Sequence, residues 1–143
     1  MRIFLILFCF LFCVGCIEKE KQTNNKENVE LLYVVDGDTV KIMYNNQKIS
    51  VRLVGIDCFE TSRNVRGKWQ SDFYNINLNQ VVKRGKESKE ILNNFLNGHR
   101  YIQLDHQGYD KYNRILGIIY LYDTNINQYM LDKGKCDIYR PRK

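Results

Sequence analysis

Residues 34–60 read VVDGDTVKIMYNNQKISVRLVGIDCFE. Leu31–Val35 before them is apolar and β-branched, and Asp36-Gly37-Asp38 supplies a turn with positive φ open to the glycine. Thr39–Tyr44 resumes as a strand, and Asn45-Asn46-Gln47 reads as a hairpin turn. In Lys48–Val54, Ile49, Val51 and Leu53 share one face, while Ser50 and Arg52 share the other. Arg52 therefore points away from the apolar face. Gly55 loosens the backbone before Asp57 and Glu60, so carboxylates and an arginine crowd one hairpin-like unit.

Upstream, Met1-Arg2 precedes IFLILFCFLFCVG, a run without charge that is short for a membrane span and patterned like a secretory signal. It ends in Val14-Gly15-Cys16, which resembles the end of a bacterial lipoprotein signal and predicts lipidation at Cys16. The expected divisions are a signal peptide over 1–15, a polar lipid-anchored tether over 16–29 and a folded domain over 30–143. The domain is expected to be extracytoplasmic, lipid-anchored to a bacterial membrane, with a secreted or periplasmic protein as the alternative. In an oxidising compartment Cys58 and Cys136 remain either as a disulfide or as two independent small core residues.

Downstream, residues 61–83 have no clean period and read as a long surface excursion with short helical pieces. Trp69, Phe73 and Tyr74 beside Arg63, Arg66 and Lys68 suit either a stacking and phosphate-contact surface or an anchor to the core. Ser88, Ile91, Leu92, Phe95 and Leu96 line one face of a helix over Gly85–Leu96. Arg100–Leu104 and Ile115–Tyr122 read as strands around a loop that runs from Gln107 to Asn113, and Asn127–Lys133 as a short helix. Five strands and two helices predict an α+β, mainly β domain: a five-stranded OB-fold Greek-key barrel.

The chain carries 22 Lys and Arg against 16 Asp and Glu, a formal charge of +6 that suits either a polyanionic partner, nucleic acid or an anionic membrane surface, or solubility alone. Asp38 and Asp57 with a backbone carbonyl form an oxygen-only set, suited to Ca²⁺ or Mg²⁺ rather than zinc. His99 and His106 lack the spacing of a zinc pair. Phosphodiester hydrolysis needs an activated water, a polarising cation and donors for the growing phosphoryl charge. Arg52 and Arg114 suit the last task, because a guanidinium makes paired bonds to phosphate oxygens; surface ion pairing is the alternative for each.

VDGDTVKIMY, VRLVGIDCFE and DKYNRILGIIYLY together resemble the thermonuclease (staphylococcal-type nuclease) family, in order and with compatible spacing. The resemblance implies an OB-fold and Ca²⁺-dependent hydrolysis of DNA and RNA that leaves 3′-phosphate ends. It implies that Asp38, Asp57 and the main-chain carbonyl of Cys58 ligate calcium, with Asp36 supporting them from behind. Glu60 would be the general base, Arg52 and Arg114 the phosphate clamps, and Lys111 and Tyr112 contacts to a terminal phosphate. Cys58-Phe59 stands where the family usually has Thr-Pro or Cys-Pro, and Asn113 where it has glycine. The family's last long helix has no counterpart after Tyr139. The expected protein is a monomeric nuclease; the alternative is a non-catalytic nucleic-acid-binding OB-fold lipoprotein.

Overall fold

A computed structural model describes residues 26–140. The expected signal peptide and Cys16 lie outside the described residues. β1 (Lys26–Asp36), β2 (Thr39–Tyr44) and β3 (Gln47–Leu53) form an antiparallel meander, followed by the two-residue β4 (Ile56–Asp57). Next come α1 (Val65–Phe73), α2 (Leu78–Leu96), β5 (Tyr101–Tyr109) and β6 (Ile115–Leu121). The fold ends with β7 (Thr124–Asn125), α3 (Ile126–Asp132) and β8 (Asp137–Ile138). The sheet runs β3-β2-β1-β5-β6-β7, and a parallel pairing of β3 with β6 closes its first five strands into a barrel. This is the mainly β OB-fold architecture the sequence predicts, with three helices rather than two.

Alternation along the strands fills the barrel. Val34, Val40, Ile42, Val51, Leu53, Ile102, Leu104, Ile115 and Ile119 are buried, and Leu92 and Leu96 of α2 join the same core. Asn45 and Asn46 both take positive φ, which matches the twist of the β2–β3 hairpin and sets Tyr44 opposite Gln47. At the barrel end, buried Asn127 donates to the carbonyls of Val54 and Gly117 and accepts from the Ile119 amide. That bonding ties the end of β3 to β6 just before the functional segment begins.

Three boundaries differ from the sequence expectation. β1 begins at Lys26 and pairs with β5 from Lys26↔Asp105 onward, so residues 26–29 belong to the barrel and not to the tether. β5 continues to Tyr109 through an irregularity near Gly108, taking in residues expected as loop. α2 starts seven residues earlier than Gly85, capped by Asn77 and Gln80 in a reciprocal capping box. Its buried stripe of Val81, Gly85, Ser88, Leu92 and Leu96 includes two small residues, which conceal the period in the sequence.

Candidate active site

The DGDT turn joins β1 to β2, and the Asp38 amide donates to Asp36 Oδ1 at 3.1 Å. Gly37 is not there for left-handed φ. A Cβ at that position would stand 2.7 Å from Ser88 Cβ and 2.9 Å from Cys58 Sγ. The turn is pressed against α2 and the 58–136 linkage, and only glycine fits.

Asp38 is 3% exposed, and its Oδ2 accepts from the Cys58 amide at 2.8 Å. Its Oδ1 accepts from Thr39 Oγ1 and is ion-paired with Arg52 Nη1. Arg52 Nη2 also lies 3.2 Å from Asp57 Oδ1, so one guanidinium bridges both carboxylates. Burial pulls the Arg52 guanidinium below its ordinary value, opposed by Asp57 and Asp36. Burial likewise raises the Asp36 carboxyl, with Arg52 the main opposing influence. These are groups removed from water and held by each other's charge.

The excursion after Glu60 contributes more than the sequence suggests. Arg66 of α1 takes both oxygens of Asp57, at 2.5 and 2.6 Å, and its Nε lies 3.5 Å from Glu60 Oε1. Asn64, the N-cap of α1, donates to Glu60 Oε2 at 2.7 Å while accepting from the Gly67 amide. Gln70 is 1% exposed; its Oε1 accepts from the Glu60 amide and its Nε2 donates to the Cys58 carbonyl, both at 2.9 Å. That amide clamp grips the backbone where the family's proline would have stiffened it. α2 presses on the same segment: a Cβ on Gly85 would lie 2.3 Å from the Glu60 carbonyl oxygen.

The opposite flank of this segment is held from the C-terminal residues. Cys58 is bonded to Cys136 with Cα atoms 4.2 Å apart. β4 pairs with β8, Ile56↔Ile138 and Asp57↔Asp137, and the Tyr139 amide donates to the Gly55 carbonyl. The Tyr74 hydroxyl donates to Asp137 at 2.7 Å, and burial followed by that bond pushes it up to about 12. Closing a loop of this sequence separation, 78 residues, restricts the unfolded chain by about 4 kcal/mol.

Arg114 sits just before β6, whose parallel register with β3 sets Arg52 opposite Leu116. Its charge acts on Asp36 and Arg52, but its direct partner is Asp110, with Nε 2.8 Å from Oδ2. Asp110 Oδ1 also accepts from the amides of Tyr112 and Arg114. Burial pushes the Asp110 carboxyl up, yet the Arg114 and Tyr112 bonds together outweigh it and hold it below the ordinary value. Asn113 takes the left-handed φ of 60° that the glycine-to-asparagine change tolerates. Lys111 and Arg114 flank the exposed Tyr112 ring, 5.1 and 5.7 Å from its centroid.

The structure therefore brings together Asp36, Asp38, Arg52, Asp57, Cys58 and Glu60, sets Arg114 where its charge reaches Asp36 and Arg52, and leaves Lys111 and Tyr112 on an exposed loop. Asn64, Arg66, Gln70 and Gly85 are the members that periodicity missed, since the inward face of α1 is polar. No group of three or more His, Cys, Asp or Glu side chains poised for a metal occurs among the described residues. The donor set nonetheless suits a hard cation: two carboxylates converge on one guanidinium, and the Cys58 carbonyl keeps a second lone pair.

A closed OB barrel thus carries carboxylates interlocked with arginines at one place. The model for staphylococcal nuclease homologues matches residues 50–143, and the chain belongs to that family. An uncharacterized endonuclease of Escherichia coli is 27% identical over 136 residues, 94% of this chain and 71% of its own length. A micrococcal nuclease of Shigella flexneri is 28% identical over 120 residues, 78% of this chain and 58% of its own. A thermonuclease of Staphylococcus hyicus is 24% identical over 121 residues, covering 82% and 63% respectively.

Proposed function

We propose that this protein is a calcium-dependent nuclease that hydrolyses DNA and RNA with little sequence specificity and leaves 3′-phosphate ends. The observation that carries the reading is the Asp38–Arg52–Asp57 bridge with Glu60 held beside it by α1. Asp38, Asp57 and the Cys58 carbonyl would hold the cation, which would polarise a phosphate oxygen and acidify a bound water. Glu60 takes the proton of the attacking water, the water oxygen adds to phosphorus as the bond from phosphorus to the 5′-oxygen breaks, and the leaving 5′-oxygen takes its proton from solvent. Arg52 and Arg114 donate to the phosphoryl oxygens as their charge grows. For this, Arg52 turns its fork from the carboxylates to phosphate, and Arg66 releases Asp57.

Export and lipidation at Cys16 belong to the same proposal on sequence grounds, and the Cys58–Cys136 bond supports an oxidising compartment. The second reading is a non-catalytic nucleic-acid-binding barrel. Its favouring observation is Arg66, which occupies both oxygens of a proposed metal ligand. Cleavage of denatured DNA by the full mature chain, with calcium and then with chelator, separates the two. Calcium-dependent cleavage leaving 3′-phosphates is expected; well-folded protein that binds DNA without cutting it would establish the second reading instead.

A further inference from the structure

We propose that Arg66 is an internal counter-cation at Asp57, which a metal ion and a substrate phosphate displace together, so that the two bind cooperatively. The inference rests on the nuclease reading and deepens it by naming what controls entry to its site. One Arg66 nitrogen donates to both Asp57 oxygens, at 2.5 and 2.6 Å, and Nε lies 3.5 Å from Glu60 Oε1. A cation that takes Asp57 as a ligand meets a carboxylate already neutralised, and those bonds must break first. Arg52 differs in its anchoring. Its Nη2 also donates to the Ile56 carbonyl at 3.3 Å, so the backbone keeps a share of it once the carboxylates are taken.

Displacement does not carry Arg66 far. It lies in the first turn of α1, whose Gln70 clasps Cys58 and Glu60 and whose cap, Asn64, donates to Glu60. Its guanidinium lies 5.4 Å from the Trp69 ring centroid, one turn further along the helix. The side chain is 24% exposed, so an anion in solvent can reach its outer edge. Displaced by a cation alone, the guanidinium would stand half-buried without its carboxylate, at a cost to metal binding. Drawn off by a phosphate alone, it would leave Asp57 to Arg52. With both ligands present each charge regains a partner, because a guanidinium pairs with phosphate as it does with carboxylate. Each ligand therefore raises the affinity for the other.

Calcium binding by the full chain is measured by titration calorimetry, alone and with excess thymidine 3′-phosphate, which has no bond from phosphorus to a 5′-oxygen to cut. Wild type should bind calcium about tenfold more tightly with the nucleotide than without it. Arg66→Gln should bind calcium alone about tenfold more tightly than wild type, and gain less than about threefold from the nucleotide. Loss of a merely structural side chain would weaken the site, so the direction of change separates the two roles. Lys68→Gln removes an equal charge at an exposed position of the same helix and should keep calcium affinity within about twofold. Melting curves exclude unfolded variants, and Arg66→Met replaces Arg66→Gln if the latter fails to fold. Calcium affinity in Arg66→Gln equal to or below wild type overturns the proposal. An equal gain in Lys68→Gln, or an undiminished response to nucleotide in Arg66→Gln, does so as well. Any of these results beside calcium-dependent cleavage of DNA defeats the counter-cation alone. Cooperative binding that Arg66→Gln abolishes, without any cleavage, supports it while defeating the nuclease reading.

Discussion

Contacts of opposite range hold the two parts of the candidate site, the 57–60 segment and the 110–114 loop. The first is gripped from far along the chain: by Asp38, by Gln70 on α1, by Gly85 on α2 and by Cys136. Asp110 organises the second almost alone, reaching only as far as Arg114. The long-range segment cannot shift without disturbing both helices and the barrel, whereas the loop can open by breaking bonds among residues 110–114 alone. A proton acceptor must be placed within a fraction of an ångström of its water, while a phosphate clamp can close after substrate arrives. The division of labour in the proposed mechanism follows this division of rigidity.

Three substitutions test the contrast, in descending order of effect. Glu60→Gln keeps the shape and the Gln70 clamp on its backbone but removes the proton acceptor. A loss of about 10²- to 10⁴-fold in kcat at an unchanged melting temperature is expected in steady-state cleavage assays. A variant with near-normal turnover would move the base elsewhere. Gly85→Ala forces a methyl against the Glu60 carbonyl, and should cost about 1–3 kcal/mol in denaturant unfolding and roughly tenfold to a hundredfold in kcat. Loss of stability with full kcat would show that the grip on Glu60 serves only the fold.

Asp110→Asn tests the local side and should be mildest, at about 1 kcal/mol and under tenfold in turnover near neutral pH. The Asp110 carboxyl is held low in the fold, so its stabilising contribution is present above the unfolded value and disappears as pH falls through the folded one. Wild type and variant should therefore converge in stability under acid conditions, measured by urea denaturation across pH. A gap that persists well below the ordinary carboxylate range would mean that shape, not charge, holds the loop.

The same contrast explains which parts could be read in advance. The barrel strands announce themselves by alternation, and the Asn45-Asn46 turn by its residue types, because both signals are complete within a few residues. The Asp110–Arg114 pairing is nearly as local. α1 is different: its inward residues are Gly67 and Gln70, its apolar ones face out, and no period of buried side chains marks it. Gly85 resembles a helix start in the sequence but lies within α2, where its missing side chain makes room for Glu60.

Residue types and spacing alone determined the OB barrel, the carboxylate–arginine set at Asp38, Arg52, Asp57 and Glu60, and the resemblance that groups them with Arg114. Strand period, turn chemistry and motif order are written along the chain. Tertiary structure alone decided that Arg52 bridges two carboxylates, that Arg66 competes for Asp57, and that Gln70 replaces a proline's stiffness from twelve residues away. Each of those is a meeting of polar groups from separate elements, and such meetings follow from how the core packs rather than from any local pattern.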